Sequence, residues 1–500
     1  MLALIKLFYA YPLLKHIFSL ILLLSLINCS NDRHLNDTWH IGINNEIKNF
    51  DIRSSGDKNL WPVTKLLTQS LLRLDQQGSP VGDLAVKWDI LPPNELVFEL
   101  NSNALFHDGH PVTAQDVIYS FQDAQRAGSP ISSLLRSVES YAAISTHKLK
   151  IKLKESEILP FLANVVPVIR ILPKHYAVKE ELFAKHPIGS GPFQFVSSKS
   201  RILTLKRNER FLPLPSVKVL KFFTISNPNT RLMSLASGES DLLFNNFPLV
   251  HLDKFTQEYN LKTQSVPGAR LHYLGINLRH PRLKERALRK ALFASINRNE
   301  LIKNKLDHKA RLASSVLPDT NHFFFNPRIK SPEKLASFKS AKSDHQKITL
   351  LGLNTPEDRA IMLAIQSYWK EIGVEASITG RDFASFMDSY KRGNFDIVLF
   401  NLNIKADPDF LYSLFHSSQF PPERNRFYYQ NRQIDELLEQ ARRATEQGER
   451  RKTYAKVQEI LMDDLPLLPL WYSDNVMLVR EKRAQELKAP ENARVFEELF

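Results

Sequence analysis

The chain has 500 residues, of which 43% are apolar and 24% charged, with a formal net charge of +14. This length exceeds what one hydrophobic core supports, so two or three lobes are expected, and the ordinary composition excludes a disordered chain. The positive charge is spread along the sequence rather than massed in one block, which argues against a nucleic-acid partner.

The N-terminal segment has the pattern of an export signal. Basic residues precede an apolar run over residues 17–27, which is too short to be a good membrane span. Leu26-Ile27-Asn28-Cys29 then resembles a bacterial lipobox, with Asn28 where a small residue is usual. We expect residues 1–28 to be a lipoprotein-type signal peptide, Cys29 the lipidated residue and residues 29–35 a tether. The alternative is an uncleaved N-terminal helix, and both place the body outside the cytoplasm.

Hydrophobic periodicity predicts strands and helices along the rest of the chain. The residues at 147–154 alternate apolar with basic, which predicts a half-buried strand with its lysines in water. Thr113 and Asp116 have near capping-box spacing at the start of a helix. The predicted elements are strands at 39–43 and 96–100 and helices at 62–74, 111–125, 285–297, 434–445 and 450–464, the last two separated at Gly448; 318–347 is loop-like.

Two later segments share one pattern. A helix at 231–237 ends at Gly238 and leads into an apolar strand at 241–246; a helix at 383–391 ends near Gly393 and leads into a strand at 396–401. Apolar strands flanked by helices are typical of a sheet covered on both faces, where ligands bind beyond the carboxyl ends of the strands. The pattern predicts two α/β lobes that face one cleft.

Three motifs resemble catalytic or metal sites, but the surrounding residues favour an ordinary turn or loop for each. His107-Asp108-Gly109-His110 is interpreted as a tight turn, because Asp-Gly is a turn signal and no second cluster supplies ligands. Gly189-Ser190-Gly191-Pro192 lacks the apolar strand that leads into a nucleophile elbow. Ser331 and Lys334 have the spacing of some acyl enzymes but lie in a polar loop. We expect no catalytic residues, no metal and no cofactor.

Several short segments resemble those of a known family, and they occur in the same order along the chain. They include Phe106-His107-Asp108-Gly109, Ile188-Gly189-Ser190-Gly191-Pro192-Phe193 and Asp407-Pro408-Asp409, with others at 70–75, 81–88, 113–117, 205–208 and 275–298. Together they resemble the family 5 extracellular solute-binding proteins of ABC transporters. The resemblance implies an α/β, type II periplasmic binding protein fold: two lobes joined by hinge strands, plus an extra domain. It places lobe I at 36–56, 170–268 and 470–500, the extra domain II at 57–169 and lobe II (domain III) at 269–469.

The implied function is hinge closure over a peptide or peptide-like solute, which a monomer in the periplasm or cell envelope delivers to the membrane subunits of an ABC permease. In this family an aspartate three residues before the Asp-Pro pair holds the peptide's amino terminus. Ile404 occupies that position here, followed by Lys405. A differently bound or blocked peptide, another solute such as a metal chelate or sugar, and an envelope sensor or adaptor therefore remain alternatives.

Most candidate ligand-binding residues lie where the two duplicated units end, and Arg270 and Tyr273 are outer candidates. Asp407 and Asp409 are candidate replacements for the missing counter-charge, although Asp407 is also a candidate cap for a helix at 409–415. The complete predicted set is Asn245, Asn246, Phe247, Arg270, Tyr273, Phe400, Asn401, Asn403, Asp407 and Asp409.

Overall fold

The computed structural model describes residues 37–51, 53, 60–75, 78–126, 129, 131–155, 157–245, 247–249, 252–329, 347–405 and 407–487. The predicted signal peptide, tether and Cys29 lie outside these residues, as do Asn246, Ser331 and Lys334.

The strands are β1 (Thr38–Ile43), β2 (Leu72–Leu74), β3 (Pro80–Gly82), β4 (Ala85–Leu91), β5 (Glu95–Leu100), β6 (Val138–Ser145), β7 (Lys148–Leu153), β8 (Phe193–Lys199), β9 (Ile202–Arg207), β10 (Val219–Thr224), β11 (Leu242–Phe244), β12 (Leu261–Ile276), β13 (Ala310–Leu312), β14 (Ile348–Leu353), β15 (Ala376–Arg381), β16 (Ile397–Asn403) and β17 (Leu467–Arg480).

The α-helices are α1 (Leu60–Leu67), α2 (Ala114–Ala124), α3 (Ile158–Asn164), α4 (Lys174–Ala177), α5 (Glu180–Lys185), α6 (Pro228–Ala236), α7 (Leu252–Glu258), α8 (Arg286–Ser295), α9 (Arg298–Leu306), α10 (Pro356–Glu371), α11 (Phe383–Lys391), α12 (Phe410–Phe415), α13 (Arg432–Arg443), α14 (Gln447–Asp464) and α15 (Ala484–Leu487). None of these helices combines the length and the apolar content that crossing a bilayer requires.

Two long strands run through the centre of the main sheet. Its order is β15-β14-β16-β12-β17-β11-β1-β10-β9-β8, with β13 also on β17. The antiparallel β12 and β17 pair along most of their length, and their register shifts between Val266 and Arg270. Strands β14 to β16 lie on one side of this pair, and β1 and β8 to β11 on the other. Two continuous strands thus connect the two halves of the sheet.

A separate antiparallel sheet, β4-β5-β7-β6, forms a further body with α2 and α3. The burial of β7 alternates as predicted, with Leu149, Ile151 and Leu153 in the core. Lys150 and Lys152 reach Glu95 and Glu139 on neighbouring strands. The predicted capping box at Thr113 is also present, since its side chain and that of Asp116 each accept the other's backbone N–H.

Two predicted boundaries are wrong. The helix predicted over 62–74 ends at Leu67, and Leu72–Leu74 forms a strand instead. The carboxylate of Asp83 accepts the Ser70 backbone N–H at 3.0 Å, and Gly191 packs so closely that an added Cβ would lie 2.5 Å from the Leu66 carbonyl oxygen. These tertiary contacts outweigh local helix propensity. Residues 444–446, not Gly448, separate α13 from α14, and Gly448 lies in the first turn of α14.

Candidate functional site

The end of β16 presents polar side chains on one face and aromatic side chains on the other. Arg270 of β12 lies opposite Asn403, and Tyr273 lies opposite Phe400. Because strand side chains alternate between faces, Asn401, Asn403 and Arg270 share one face, while Tyr273 and Phe400 lie on the other. The register therefore divides the predicted residues into two groups with different surroundings.

The aromatic group belongs to the protein interior. Tyr273 is 2% exposed, and its hydroxyl lies 2.8 Å from that of Tyr390. The Phe400 ring packs against Phe386 and Tyr390, with centroid separations of 4.8 and 4.9 Å. We therefore assign Tyr273 and Phe400 to packing and leave them out of the proposed site.

The polar group surrounds an accessible guanidinium. Arg270 is exposed, and its Nε donates to Asn403 Oδ1 at 3.2 Å. Within the described ranges no carboxylate lies within ion-pair distance of it. Burial, followed by the charge of Arg270, lowers the pKa of the neighbouring His272 to about 3, so that this imidazole is neutral near pH 7. Arg270 is thus the uncompensated positive charge on this face.

Strand β16 also has an unpaired edge at the same place. Strand β14 pairs with it at Ile397 and Val398, and β14 ends at Leu353. In the described part of the chain, no strand continues along that edge beside Asn401 and Asn403. The backbone there can accept an additional extended chain, as an open sheet edge does.

The predicted residues after β11 have structural partners. Asn245 has φ of 38° and is joined to β17 twice, because its N–H donates to Val476 O and its Oδ1 accepts the Val476 N–H. Phe247 is 7% exposed and packs in a cluster with Leu243 and Leu252. Asn246 lies outside the described residues. These contacts fix the end of β11 against the central strand pair.

Neither aspartate after β16 is free to replace the missing counter-charge. Asp407 is buried and accepts from the Arg450 guanidinium at 2.6 and 2.9 Å. Burial alone would lower the pKa of Arg450, but Asp407 raises it. Asp409 accepts from Arg442 Nε at 2.9 Å. Burial raises the pKa of Asp409, and the charge of Arg442 opposes that rise.

A cavity of about 560 Å³ lies between the extra body and the segment that follows β16. Its walls include Phe161 from α3 and Tyr412 from α12. Lys405 and Arg424 also line it, and within the described ranges neither has a carboxylate at ion-pair distance. Burial, and then the charge of Arg424, lower the pKa of Lys405. Sequence reasoning missed this cavity because its walls lie some 250 positions apart along the chain.

Comparisons with known proteins identify one family. Residues 79–422 match the bacterial extracellular solute-binding proteins, family 5 Middle. The probable D,D-dipeptide-binding periplasmic protein DdpA of Escherichia coli is 26% identical over 454 residues, which cover 86% of this chain and 87% of that protein. The oligopeptide-binding protein AppA of Bacillus subtilis is 24% identical over 424 residues, which cover 77% of this chain and 76% of that protein.

Two solved structures share the fold over about nine tenths of the chain. The substrate-binding protein CtaP of Listeria monocytogenes has a TM-score of 0.79 at 24% identity, covering 89% of this chain and 94% of its own. AppA of Bacillus subtilis, solved with a nonapeptide, has a TM-score of 0.73 at 21% identity, covering 91% of this chain and 98% of its own. These likenesses confirm the predicted α/β, type II periplasmic binding protein fold.

Proposed function

The chain belongs to the family 5 bacterial extracellular solute-binding proteins, and from this premise we propose that it binds a peptide or peptide-like solute and delivers it to the membrane subunits of an ABC transporter. The family consists of substrate-binding proteins rather than enzymes, as expected. Relatives named for dipeptides and oligopeptides support a peptide ligand.

The observation that carries the proposal is the open edge of β16. An extended ligand added there makes main-chain hydrogen bonds, while the Asn401 and Asn403 amides and the Arg270 guanidinium supply polar contacts. Closure is a rotation about β12 and β17, the two strands that connect the halves of the sheet. We keep the predicted division into lobe I, extra domain and lobe II, and a monomeric state, as parts of this proposal.

The charges near Ile404 narrow the ligand class. Ile404 is 8% exposed and offers no counter-charge, and Asp407 is paired with Arg450. Among the described residues, Lys405 and Arg424 line the neighbouring cavity without a carboxylate at ion-pair distance. A free ammonium beside Lys405 and Arg424 would be repelled by both cations, whereas a blocked or anionic group would not be. We propose that the ligand presents a blocked or anionic group at this end.

Calorimetric titration tests both statements. Asn401→Ala and Asn403→Ala should each weaken peptide binding about threefold to tenfold, the loss expected for one or two hydrogen bonds. Asn229→Ala, at an exposed position of α6, should change nothing. If both site variants bound the peptide with wild-type affinity, the proposal that the ligand binds along the β16 edge would be contradicted. Separately, an N-acetylated peptide should bind at least as tightly as the same peptide with a free amino terminus. A tenfold preference for the free amine would contradict the proposal that the ligand presents a blocked or anionic group.

The lipid anchor is a further part of the proposal, supported by the lipobox-like segment before Cys29. A metabolically supplied fatty-acid label should enter the wild-type chain and not the Cys29→Ala variant. Equal labelling of the two would exclude Cys29 as the lipidated residue.

A further inference from the structure

Three possible metal ligands meet on the surface where the extra body contacts α4, a helix within the range 170–268 that is assigned to lobe I. Asp108 and His110 lie in the turn that follows β5, and His175 lies in α4. Asp108 Oδ2 is 2.8 Å from His175 Nε2, and Asp108 Oδ1 is 3.2 Å from His110 Nδ1. One ligand atom from each residue lies within 4.8 Å of the other two. The turn at 107–110 is confirmed, and α4 supplies the ligand that the sequence did not place there.

The backbones that carry these side chains are held by hydrogen bonds. Phe106 and His110 close the turn, because the Phe106 N–H donates to the His110 carbonyl at 2.8 Å. The first N–H of α4, at Lys174, donates to Asp116 Oδ1 at 2.9 Å. Asp116 belongs to the capping box of α2, so one capped helix positions the segment that bears His175. The three side chains are exposed, but hydrogen bonds hold the backbone segments that carry them.

The donor set fits a late first-row divalent ion. Two imidazoles and one carboxylate are ligands that Zn²⁺ accepts, and a tetrahedral site with arms of about 2.0–2.1 Å separates its ligand atoms by about 3.3 Å. The two imidazole nitrogens contact different oxygens of Asp108, at 2.8 and 3.2 Å, and one ligand atom from each residue lies within 4.8 Å of the other two, so the cluster is close to that spacing without matching it. The His110 and His175 rings lie 4.1 Å apart and are inclined by 37°, so small side-chain rotations suffice to aim both at one ion.

We propose that Asp108, His110 and His175 form a surface site for a divalent transition-metal ion, with Zn²⁺ as the best fit. Solvent fills the remaining coordination position, because all three residues are exposed. The ion cross-links the turn after β5 to α4, two segments more than sixty positions apart, and stabilises the contact between the extra body and α4 by binding only when both segments are in place. This site is independent of the peptide ligand.

The test uses the full chain in detergent, purified without a polyhistidine tag and stripped with EDTA. Titration with ZnCl₂ should show one ion per chain, and the ion should raise the unfolding temperature. His110→Ala, His175→Ala and Asp108→Asn should each weaken Zn²⁺ binding at least about tenfold, as loss of a ligand requires. His147→Ala, in the same body but outside the cluster, should leave the affinity unchanged.

Unfolding temperatures in EDTA establish that each variant is folded, which its exposed position favours. Equal Zn²⁺ affinity in wild type and in all three ligand variants would overturn the site. A wild-type chain that binds no Zn²⁺ would overturn it as well, and would identify the cluster as an ordinary carboxylate–imidazole hydrogen-bonded group.

Discussion

At the scale of single residues, burial decides which charges are structural and which can serve a ligand. Asp407 was a candidate for both roles in the sequence, where its position after a strand is all that can be read. Arg450, which pairs with it, lies 43 positions later on α14, and no local pattern connects the two. Asn401 and Asn403 follow from local pattern alone, because the alternation of β16 places both on one face. The alternation of side chains along one strand can be read from the sequence, whereas a contact formed by packing between distant segments cannot.

The Arg450–Asp407 pair yields a prediction about stability. Both side chains are almost fully buried, at 0% and 2% exposure. Arg450→Met should lower the free energy of unfolding by about 3–5 kcal/mol, because it leaves a buried carboxylate without its counter-charge. The double variant Arg450→Met/Asp407→Leu should recover most of that loss, since the charge that needed compensation is gone. Urea unfolding monitored by circular dichroism measures both.

The matched control is Arg432→Met. Arg432 also pairs with an acid, Glu436, but its side chain is 93% exposed, so its removal should leave the unfolding curve unchanged. If Arg450→Met were as stable as this control, Asp407 would have another way to be stabilised and would again be available to a ligand.

At the scale of elements, helix ends that are marked by a local capping residue or glycine were predicted. Helix ends that depend on contacts with distant parts of the chain were not. The bounds of α11 follow directly from Asp382 at its N-cap and Gly393 just past its end. The end of α1 depends on Asp83 and Gly191, which come from elsewhere in the chain. Gly448 resembled a stop signal and is not one, because it lies in the first turn of α14, where backbone strain is low.

This contrast predicts opposite outcomes for two glycine substitutions. Gly393 has φ of 65°, and a Cβ there would lie 2.7 Å from a ring carbon of Tyr428. Gly393→Ala should therefore destabilise the protein by about 1–2 kcal/mol. An added Cβ at Gly448 meets nothing within 4 Å, so Gly448→Ala should be neutral or slightly stabilising. Thermal unfolding of the two variants side by side measures the difference, and an equal loss in both would contradict the assignment of Gly393 as the helix stop.

At the scale of the whole molecule, the two α/β halves of the fold were predictable from the sequence, and the contact between the extra body and the segment after β16 was not. Two repeated helix–glycine–strand units indicated two α/β halves, and the structure joins them through β12 and β17. Contact between the extra body and the segment after β16 depends on single side chains. Arg442 donates to Glu157 at 3.1 Å, and Asn164 donates to Asp407 at 3.3 Å. No periodicity in the sequence indicates such contacts, because each involves one residue from each side.

These contacts should bias the clamp toward closure. A hinge motion about β12 and β17 that carries Asp407 and Arg442 away from the extra body must break both hydrogen bonds, so these bonds favour the arrangement in which the two parts touch. The double variant Glu157→Ala/Asn164→Ala should weaken ligand binding by about fivefold to 150-fold, because the ligand must then supply the 0.5–1.5 kcal/mol that each of the two contacts contributes to closure. Small-angle scattering of the ligand-free variant should show a larger radius of gyration than that of the wild type.

Arg136→Ala provides the matched control for this contact. Arg136 also reaches across to the chain that follows β16, at 3.6 Å from Glu423, but both side chains are largely exposed, so water already screens the pair. Its loss should change neither the affinity nor the radius of gyration. If the double variant behaved like this control, closure would depend on the ligand and the hinge strands alone. The extra body would then take no part in the motion, although Asn164 and Glu157 touch the moving lobe.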